Sequence, residues 1–417
     1  MHSVEETVAR ILADIAPVEL ETVALRDAFG RVLARDVHSP IALPPWDNAS
    51  MDGYAVRSDD VRLASSDSPV VLPVLETVAA GARPSQSVRA GTAIRVMTGA
   101  PVPSGADSVV RVEDTDRGID RVAIRDARDA GRNVRPRGED LREGGLAVVA
   151  GTTIGPAQLG VLASVGASRL EVHRSPRVAV LTTGDELVDV DRFDDVRKGE
   201  RIVSSNSYTL RAAVQAAGGA VLDLGISPDD PAEMRARLQS AAGCDLVITS
   251  GGVSVGDFDY TKSVVESLGG TLALSRVRMR PGAPLTFGSI GGLPWIGLPG
   301  NPVSSMVTFE LFVRPAIRKL RGERLLFRRT MDVRVMERVT IAAPLTHFLR
   351  AVVSTDDHGE LVARLTGPQG SGLLTSMSLA NALVIVSADR PEIEPGEHAK
   401  AILLSDDCVH TSQFRLA

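Results

Sequence analysis

Aromatic residues and cysteine are both scarce in this chain of 417 residues. Aromatic side chains make up 3% of the sequence, which argues against a protein that stacks nucleic-acid bases on aromatic platforms. The two cysteines, Cys244 and Cys408, lie far apart and lack the spacing of metal ligands, which indicates free thiols and a reducing compartment. Because the chain also does not begin with an apolar secretory segment, we expect a cytoplasmic protein.

The chain has no excess of basic charge. Its 46 Lys and Arg residues stand against 52 Asp and Glu residues, a net charge of −6, so duplex nucleic acid is not an expected partner. Residues 144–168 and 281–309 carry no charged side chain, but both contain proline and glycine and neither reads as a spanning helix. We therefore expect neither nucleic acid nor a membrane as a partner.

Hydrophobic patterning divides the chain into regions of different character. Ser3 and Glu6 form a capping-box pattern before an amphipathic helix, and a second, weaker helical pattern covers 25–33. Short apolar runs broken by Pro, Gly and Asp from about 41 to 145 predict a β-rich module. Strands and helices alternate from Arg177 to about Arg321, which predicts a doubly wound α/β domain closed by a long helix, 302–320, with a kink at Pro315. After Leu326 short strands return and predict a small β-barrel or sandwich.

Three strand ends in the α/β region carry glycine together with hydroxyl or acidic residues. They read T-T-G-D-E (182–186), S-G-G-V-S-V-G-D-F-D (250–259) and P-G-N-P-V-S-S (299–305). Open α/β sheets bind ligands beyond the carboxyl ends of their strands, and glycine turns and helix N-termini present N–H groups to anions such as phosphate. The nearby carboxylates would repel phosphate and suit instead a hard cation such as Mg²⁺; they are Asp185, Glu186, Asp257 and Asp259. The pattern therefore predicts a phosphate-bearing, nucleotide-related ligand with a divalent ion.

Each of these motifs has an ordinary structural explanation when taken alone. An S-G-G turn commonly just connects a strand to a helix, and Asp at a helix start commonly acts as its cap. It is the coincidence of three such strand ends in one domain that favours a ligand site. The loops match neither the Walker A motif nor the dinucleotide G-x-G-x-x-G, and no hydrolase motif accompanies the seven histidines.

Basic residues alternate at Arg276, Arg278 and Arg280, which places them on one face of an extended segment. That face is either a solvated strand surface or a wall that binds an oxyanion, since Arg recognises oxyanions through paired hydrogen bonds. The residues alone leave these two alternatives open.

Six ordered motifs resemble the molybdopterin molybdenumtransferase family, whose members include bacterial MoeA and the E domain of gephyrin. They are P-P-W-D-N-A-S-M-D-G-Y-A-V-R (44–57), I-R-V-M-T-G-A-P-V-P-S-G-A-D (94–107), T-T-G-D-E-L (182–187), S-S-N-S (204–207), S-G-G-V-S-V-G-D-F-D-Y-T-K (250–262) and L-P-G-N-P-V-S-S (298–305). The resemblance continues through F-L-R (348–350) and Q-G-S-G (369–372). It implies an enzyme that inserts molybdate into adenylylated molybdopterin, with Mg²⁺-dependent release of AMP, to form molybdenum cofactor.

The resemblance also implies the architecture and the partners. The family's protomer has four parts: a helical linker and dimerisation domain (1–43 and 146–175), a β-rich module (44–145), a MogA-like α/β domain that binds molybdopterin (176–325) and a C-terminal β-barrel (326–417). Its members are homodimers whose active cleft lies at the subunit interface. Molybdopterin adenylyltransferase and apo-molybdoenzymes are implied as protein partners.

Site residues are carried over position by position. The resemblance implies a metal site at Glu186 and Asp259, and a catalytic set of Glu186, Asp229, Asp259, Asp52, Thr98 and Asp140. Asp229 and its neighbour Asp230 are alternatives for the same role, because Asp230 also reads as a helix cap. Substrate contacts are implied at Thr183, Asn206, Ser250, Gly251, Gly252, Ser254, Arg280, Pro281, Pro299, Gly300, Asn301, Pro302, Ser304, Arg350 and Ser371, with molybdate near Arg350 and Ser371.

One run departs from the family. Members commonly read M-K-P-G-K-P where this chain reads M-R-P-G-A-P (279–284), so Arg280 keeps a charge and Ala283 loses one. Two other functions stay open on the sequence: a molybdopterin adenylyltransferase, against which the extra β modules argue, and a non-catalytic paralogue or scaffold that binds the cofactor.

Overall fold

The computed structural model describes residues 1–252, 260–274 and 276–405. Two predicted site residues, Ser254 and Asp259, lie outside the described residues, as do Asp257 and Cys408. Within the described part of the chain, no helix is long and apolar enough to cross a membrane.

A six-stranded sheet forms the centre of residues 177–298. Its strands, in spatial order, are Ala220–Ser227, Arg177–Thr183, Leu246–Ser250, Leu293–Leu298, Thr286–Ile290 and Thr271–Leu274. The first four are parallel. Thr286–Ile290 is antiparallel to both of its neighbours, so Thr271–Leu274 at the edge runs in the same direction as the first four. The second strand along the chain lies on one side of the first and the third lies on the other, so the strand order reverses beside Arg177–Thr183. A crevice at such a reversal is where doubly wound sheets bind ligands.

Helices cover both faces of this sheet, which confirms the predicted doubly wound α/β domain. They are Ser205–Ala216, Pro231–Gln239, Tyr260–Ser267, Pro302–Thr308 and Arg314–Leu320. The short helix Phe193–Arg197 has no buried residue and lies beside the strand Ile202–Val203 instead. Val178 and Val180 pack into the core on one face, while Ala179 and Leu181 pack into the core on the other. Burial on both faces explains why the strand reads as a continuous apolar run rather than an alternating one.

The predicted long helix from Pro302 to Leu320 contains a wider turn. Residues Phe309–Val313 are π-helical and join the α-helical segments on either side. Pro315 lies two residues beyond this turn, and because proline has no N–H it cannot complete the regular α-helical hydrogen-bond ladder. The irregularity therefore lies in the turn before Pro315, and the helix continues without a break.

The β-rich module is built on a five-stranded sheet. In spatial order its strands are Ser108–Arg111, Gly53–Val56, Ala93–Val96, Val70–Val78 and Arg121–Ile124, and a separate pair joins Asn48–Ala49 to Val134–Arg135. A Cβ at Gly53 would lie 2.0 Å from the carbonyl oxygen of Val110, so only glycine permits this strand contact.

The remaining N-terminal residues form two helices and small sheets. The helix Val4–Ala13 has the predicted capping box between Ser3 and Glu6, and a second helix is Pro156–Ser164. Leu20–Ala24, Arg169–His173 and Val32–Leu33 form a three-stranded sheet, and Val37–His38 pairs with Leu146–Val148. The predicted helix over 25–33 is wrong: only a 3₁₀ turn, Leu25–Asp27, forms before the strand. Strand pairing with Arg169–His173 outweighs a short helical pattern here.

The C-terminal region closes into a five-stranded barrel, as predicted. Its strands are Thr330–Val335, Thr346–Thr355, Leu361–Leu365, Ala382–Val386 and His398–Leu403, and pairing of the second with the fourth closes the ring. The two-residue strand Met279–Arg280 joins the barrel by pairing in parallel with Thr346 and His347. The α/β domain and the barrel are thus connected beside Arg280.

Candidate active site

A cavity of about 520 Å³ opens at the reversal of strand order in the α/β domain. All three glycine-bearing strand ends that the sequence singled out contribute to its wall. The lining residues are Thr182, Thr183, Gly184, Glu186, Leu187, Ile202, Val203, Ser204, Ser205, Asn206, Asp229, Ser250, Gly251, Gly252, Pro284, Pro299, Gly300, Asn301 and Pro302. The volume is of the order that small-molecule sites have.

The S-G-G turn at 250–252 packs tightly against the neighbouring strand end. Gly251 and Gly252 have φ values of +95° and +63°. A Cβ at Gly251 would lie 2.5 Å from the backbone oxygen of Thr183, and one at Gly252 would lie 2.0 Å from Oγ1 of Thr261. Both the backbone conformation and the lack of space therefore require glycine, and the turn brings backbone close to the cavity.

Asn206, near the start of the helix Ser205–Ala216, ties two strand ends together. Its Nδ2 donates to Oγ of Ser250 at 2.8 Å and to the backbone oxygen of Gly300 at 2.8 Å. The Ser250 hydroxyl in turn donates to the backbone oxygen of Pro299 at 3.3 Å. One side chain thus holds the ends of two parallel strands in a fixed relation.

Two polar atoms in the cavity wall have no hydrogen-bond partner. They are Oδ1 of Asn206 and Oγ1 of Thr183, whose residues are 7% and 4% exposed. A buried polar atom without a partner costs about 1–3 kcal/mol, so such atoms are normally satisfied by water or by a ligand. Both atoms are closed off by their neighbours, and Oγ1 of Thr183 lies against the S-G-G turn, where a Cβ at Gly251 would come within 2.8 Å of it.

The acidic residues of the cavity are Glu186 and Asp229. Asp229 is half-buried, and its backbone N–H donates to Oδ1 of Asp185 at 3.0 Å, while the N–H of Asp185 donates to Oδ2 of Asp229 at 3.4 Å. Burial raises the pKa of Asp229, and the negative charges of Asp185 and Glu186 raise it further against the lowering effect of the Asp185 N–H. A cation bound here would relieve this repulsion.

Asp230 has a different environment from Asp229. Its side chain caps the helix Pro231–Gln239 by accepting from the N–H groups of Ala232 and Glu233. Asp230 is not among the cavity-lining residues, whereas Asp229 is. The geometry thus separates the two acids that the sequence left as alternatives.

No group of three or more His, Cys, Asp or Glu side chains able to hold a metal ion occurs among residues 1–252, 260–274 and 276–405. The predicted ligand Asp259 lies outside this part of the chain. Glu186 and Asp229 are the carboxylates that the cavity itself supplies, and oxygen donors of this kind suit a hard divalent ion.

The loop at 299–304 contributes mainly backbone to the site. Pro299, Gly300, Asn301 and Pro302 line the cavity. Ser304, two positions after Pro302 in the helix, is buried but does not line the cavity. The backbone N–H of Val303 donates to the backbone oxygen of Ser371 at 3.1 Å, which brings a loop of the barrel to the start of this helix.

Arg276, Arg278 and Arg280 are all exposed, while Val277 and Met279 between them are buried. The alternation predicted from the sequence therefore exists, although only Met279–Arg280 forms a regular strand. Pro281, which follows, is buried, and Pro284 reaches the cavity wall.

His347 lies opposite Arg280 where the strand Met279–Arg280 pairs with the barrel strand Thr346–Thr355. His347 is 6% exposed, and its Nε2 has no hydrogen-bond partner. Burial lowers the pKa of His347, and the nearby charge of Arg280 lowers it further.

Arg350 is fully buried in the barrel. Its guanidinium donates to Oγ of Ser376 and to the backbone oxygens of Pro368, Gln369 and Gly370. Burial lowers the pKa of Arg350. These four donations occupy four of its five N–H groups, and burial without a compensating carboxylate among the described residues is what shifts its pKa.

Three predicted catalytic residues, Asp52, Thr98 and Asp140, lie in the N-terminal half and are exposed. Oδ1 of Asp52 accepts from the backbone N–H and the hydroxyl of Thr98, both at 2.7 Å. The hydrogen bond from the Thr98 N–H, and to a smaller extent the one from its hydroxyl, lowers the pKa of Asp52. Asp52 is therefore kept as an ionised carboxylate at the surface. None of the three lines the cavity of the same chain.

Sequence reasoning missed several wall residues. Ile202 and Val203 pair with Leu187 and Val188 in a small parallel ribbon, and with Pro284 they supply apolar surface to the cavity. Thr182 accepts from the Ser204 hydroxyl at 3.3 Å. The S-S-N-S motif was the signal that could have identified Ser204 and Ser205, while Pro284 reaches the wall only through the tertiary fold.

Comparison with known proteins gives matches along nearly the whole chain. Residues 2–166 match the model "MoeA N-terminal region (domain I and II)", residues 179–319 the model "Probable molybdopterin binding domain", and residues 332–404 the model "MoeA C-terminal region (domain IV)". All lining residues of the cavity fall within the second of these ranges.

Individual relatives agree with these family models. Molybdopterin molybdenumtransferase 2 of Mycobacterium tuberculosis is 38% identical over 405 residues, which cover 95% of this chain and 98% of that protein. Molybdopterin molybdenumtransferase of a Nostoc species is 40% identical over 331 residues, covering 77% and 75%. The crystal structure of the molybdopterin biosynthesis moeA protein from Pyrococcus horikoshii superimposes with a TM-score of 0.83 at 28% identity, covering 97% of this chain and 100% of that one.

Proposed function

The chain belongs to the molybdopterin molybdenumtransferase family, and we propose that it inserts molybdate into adenylylated molybdopterin with release of AMP. The coarser statement, a transferase of molybdenum cofactor biosynthesis with a molybdopterin-binding domain, follows from relatives at 32–40% identity that cover 77–97% of this chain. The observation that carries the finer proposal is the cavity at the strand-order reversal, where three glycine-bearing strand ends and two acidic side chains line one space.

In this proposal the substrate lies along the three strand ends. Thr183, Asn206, Ser250, Gly251, Gly252, Pro299, Gly300, Asn301 and Pro302 form its contact surface, with Ser304 behind it and Ser254 contributing from outside the described residues. The glycine turn brings backbone close to the substrate, and a side chain at 251 or 252 would displace the turn, because its Cβ would collide with Thr183 or Thr261.

Cleavage of the adenylate is assigned to the acidic side of the cavity. Glu186 and Asp229 are placed there, with Asp259 as the further acid that the family pattern implies. The residues present fit Mg²⁺, because the pKa of Asp229 is raised by burial and by two acidic neighbours that leave negative charge uncompensated. A bound Mg²⁺ would neutralise phosphate oxygens and stabilise the charge that develops on the leaving AMP. Glu186, Asp229 and Asp259 would hold the ion. The ion would then lie between these carboxylates and the phosphate, so that the like charges do not meet directly.

Molybdate is assigned to the junction between the α/β domain and the barrel. Arg280 presents an exposed cation beside the strand pairing with His347, and Pro281 fixes the backbone that follows. Arg350 contributes a buried positive charge that no described carboxylate neutralises, and the Ser371 loop contacts the helix that begins at the cavity. Positive charge of this kind attracts an oxyanion.

The exposed residues Asp52, Thr98 and Asp140 are assigned to the cleft of a second subunit. Two observations support this assignment. All three residues are exposed and none lines the cavity of its own chain. The hydrogen bonds from Thr98 also favour the ionised form of Asp52. In this view the protein is a homodimer with the four-part division 1–43 with 146–175, 44–145, 176–325 and 326–417. An adenylyltransferase would supply the substrate in the cytoplasm, and apo-molybdoenzymes would take the product.

One observation favours a second candidate function, a cofactor-binding paralogue without catalysis. Ala283 stands where the family commonly has a lysine, so one cation is absent beside Pro284 in the cavity wall. Arg276 and Arg278, exposed on the same face as Arg280, are available to replace that charge.

Reconstitution separates the two functions. Purified protein, adenylylated molybdopterin, Mg²⁺ and molybdate are incubated, and the mixture is added to an apo-molybdoenzyme. The transferase predicts AMP release and enzyme activation, both abolished without molybdate or protein. Tight binding of the adenylylated substrate with no AMP and no activation would establish the non-catalytic function instead.

A further inference from the structure

Trp46 is an exposed aromatic side chain in a chain that has few of them. The chain has two tryptophans. Trp295 is fully buried and its Nε1 donates to Oγ1 of Thr249 at 3.0 Å, whereas Trp46 is 41% exposed. Single apolar side chains are common on protein surfaces, so exposure alone does not mark a site. What distinguishes Trp46 is the way in which its backbone and its ring are held.

The backbone beside Trp46 is anchored by hydrogen bonds from two other segments. The carbonyl oxygen of Asp47 accepts from the N–H of Val102 at 2.9 Å, and Oδ1 of Asp47 accepts from the N–H of Arg137 at 2.6 Å. A side chain on anchored backbone loses little conformational freedom when a ligand covers it, which favours binding.

Arg83 lies over the ring of Trp46. Its guanidinium carbon is 5.6 Å from the ring centroid, within the range of a cation–π contact. The loop that carries Arg83 is itself held by the carboxylate of Glu76, which accepts from the N–H and the hydroxyl of Ser85 at 2.9 and 2.7 Å and from the N–H of Gln86 at 2.8 Å. Because Arg83 lies over one face of the indole, the exposed part of Trp46 is available to a second flat group.

Trp46 belongs to the same surface of the β-rich module as the residues assigned to the cleft of a second subunit. It lies six residues before Asp52, whose carboxylate is bound by Thr98. The N–H of Asp140 donates to the backbone oxygen of Leu43 at 3.0 Å, three residues before Trp46. Trp46 does not line the cavity of its own chain. A substrate that meets this surface therefore comes from the partner's cavity.

We propose that Trp46 stacks on the adenine ring of the adenylylated substrate held in the cavity of the partner subunit, with Arg83 keeping the indole in place. This inference rests on the proposed function for the identity of the substrate and for the pairing of subunits. In that function the adenylate is cleaved at the acidic side of the cavity, with Asp52 nearby. Adenine is joined through ribose to the phosphate at which cleavage occurs, and the pterin lies on the other side of the phosphates. The ring that reaches Trp46 is therefore adenine.

Stacking makes a specific demand on the ligand. It uses the face of a ring and does not read its edges, so any purine satisfies it. Trp46 is thus expected to accept adenine and hypoxanthine alike. The scarcity of aromatic residues argues against a platform for a strand of bases, but one ring is enough for one base.

Fluorescence of Trp46 tests the proposal in the intact protein without turnover. Because Trp295 is buried, quenching by a stacked purine reports on Trp46. The probes are AMP, inosine monophosphate and 6-hydroxymethylpterin, each in the presence of Mg²⁺. Affinities are measured by calorimetry for the wild-type protein, Trp46→Ala, Trp46→Phe and Arg83→Met. Leu63→Ala is the matched control, because it removes an apolar side chain that is 88% exposed elsewhere in the same module.

We expect AMP and inosine monophosphate to quench the wild-type fluorescence equally. Trp46→Ala should weaken both nucleotides at least about tenfold, as loss of a stacked ring does, and should change pterin binding by less than about twofold. Trp46→Phe should retain affinity within about threefold, because an aromatic face remains. Arg83→Met should have an intermediate effect, because the indole is no longer held. Leu63→Ala should leave all three affinities unchanged.

Three results would overturn the assignment. Absence of quenching by AMP would show that the nucleotide does not meet Trp46. Loss of pterin affinity with unchanged AMP affinity in Trp46→Ala would assign the ring to the pterin. Equal loss for all probes would show a merely structural role of Trp46.

A cavity variant links the nucleotide to the partner's site. Glu186→Gln should weaken the Mg²⁺-dependent quenching of Trp46 by AMP, although the two residues lie in different domains, and quenching that is unchanged would place the nucleotide away from the cavity and overturn the proposal. Cofactor formation by Trp46→Ala with an unchanged KM for the adenylylated substrate would contradict this inference alone. Stacking of AMP on Trp46 without cofactor formation would contradict the transferase alone.

Discussion

Asp229 and Asp230 are adjacent acids whose environments give them separate tasks. Asp229 lies in the cavity wall among acidic neighbours, while Asp230 caps a helix. We expect Asp229→Asn to lower the rate of AMP release at least about tenfold, the scale at which positioned charged groups commonly contribute. Asp230→Asn is the matched control, because asparagine is as good an N-cap as aspartate and should leave the rate within about twofold. Equal loss in both variants would show that Asp229 acts through local structure only.

The raised pKa of Asp229 also predicts a pH dependence of stability. The folded chain holds the Asp229 proton more tightly than the unfolded chain, so its contribution to stability is lost as pH rises from the usual aspartate range through the raised pKa. Without divalent ions, the Tm of Asp229→Asn should therefore gain on the wild type as the pH rises through that window. A difference between the two Tm values that is independent of pH would contradict the shift.

Mg²⁺ should restore the stability that the wild-type protein loses when Asp229 gives up its proton, if the acidic side of the cavity binds the ion. Ligands that bind only the folded state raise its stability by mass action, and deprotonated carboxylates are the form that binds the ion. We expect Mg²⁺ to raise Tm at neutral pH and to have less effect as the acids become protonated. Glu186→Gln and Asp229→Asn should each reduce the response; an unchanged response in both would place the ion elsewhere.

The two glycines of the S-G-G turn allow a further test at single residues. Gly252→Ala would put a Cβ against Thr261 in a backbone region that disfavours alanine. Gly291→Ala is the matched control, with φ of +56° and nothing within 4 Å of the new Cβ. We expect Gly252→Ala to weaken binding of 6-hydroxymethylpterin at least about tenfold, and Gly291→Ala to leave it unchanged. Both substitutions place alanine at a positive φ, but only Gly252→Ala displaces the turn beside the cavity.

At the scale of elements, the first helix is a part of the core of the α/β domain. Ile11 of the helix Val4–Ala13 is fully buried in the same cluster as Val313 and Ile317 of the long helix. We expect Ile11→Ala to lower the free energy of unfolding by about 2–5 kcal/mol, as large-to-small changes in cores do. Arg10→Ala, exposed on the same helix, should change it by less than about 1 kcal/mol. Similar losses in chemical denaturation of both variants would contradict the packing.

The elements that the sequence predicted well are those with strong local signals. The strand Leu361–Leu365 and the strand Ala382–Val386 have the predicted bounds, because apolar runs between turn residues define them. The prediction of a helix over 25–33 was wrong, because a few apolar residues at helical spacing are a weak signal that long-range strand pairing overrides.

The same limit applies to the site. The three glycine-bearing strand ends could be found from local motifs, since strand direction alone brings carboxyl ends to one edge of a sheet. The full burial of Arg350, the orphaned oxygen of Asn206 and the contribution of Pro284 could not be found, since each depends on packing between segments far apart in sequence.

At the scale of the whole molecule, the assignment of Asp52 to a partner's cleft predicts complementation between subunits. Asp52→Ala and Glu186→Gln are expected to be inactive alone. After mixing, subunit exchange should restore about a quarter of wild-type activity, since half of randomly formed dimers are mixed and each has one intact cleft. Glu186→Gln mixed with Asp229→Asn is the control and should remain inactive, because both changes affect the same cavity. No recovery in the first mixture, with dimer exchange verified, would place Asp52 outside the cleft.

The most direct measurement of the central claim is the ratio of molybdenum bound in cofactor to AMP released by the purified protein. Adenylylated molybdopterin, Mg²⁺ and molybdate are supplied, AMP is quantified by chromatography and molybdenum by elemental analysis of the isolated pterin. The account predicts one molybdenum per AMP, with the formation of both products slowed at least about tenfold in Asp229→Asn and within about twofold of wild type in Asp230→Asn. AMP release without molybdenum insertion, or no release at all from a protein that binds the substrate, would contradict it.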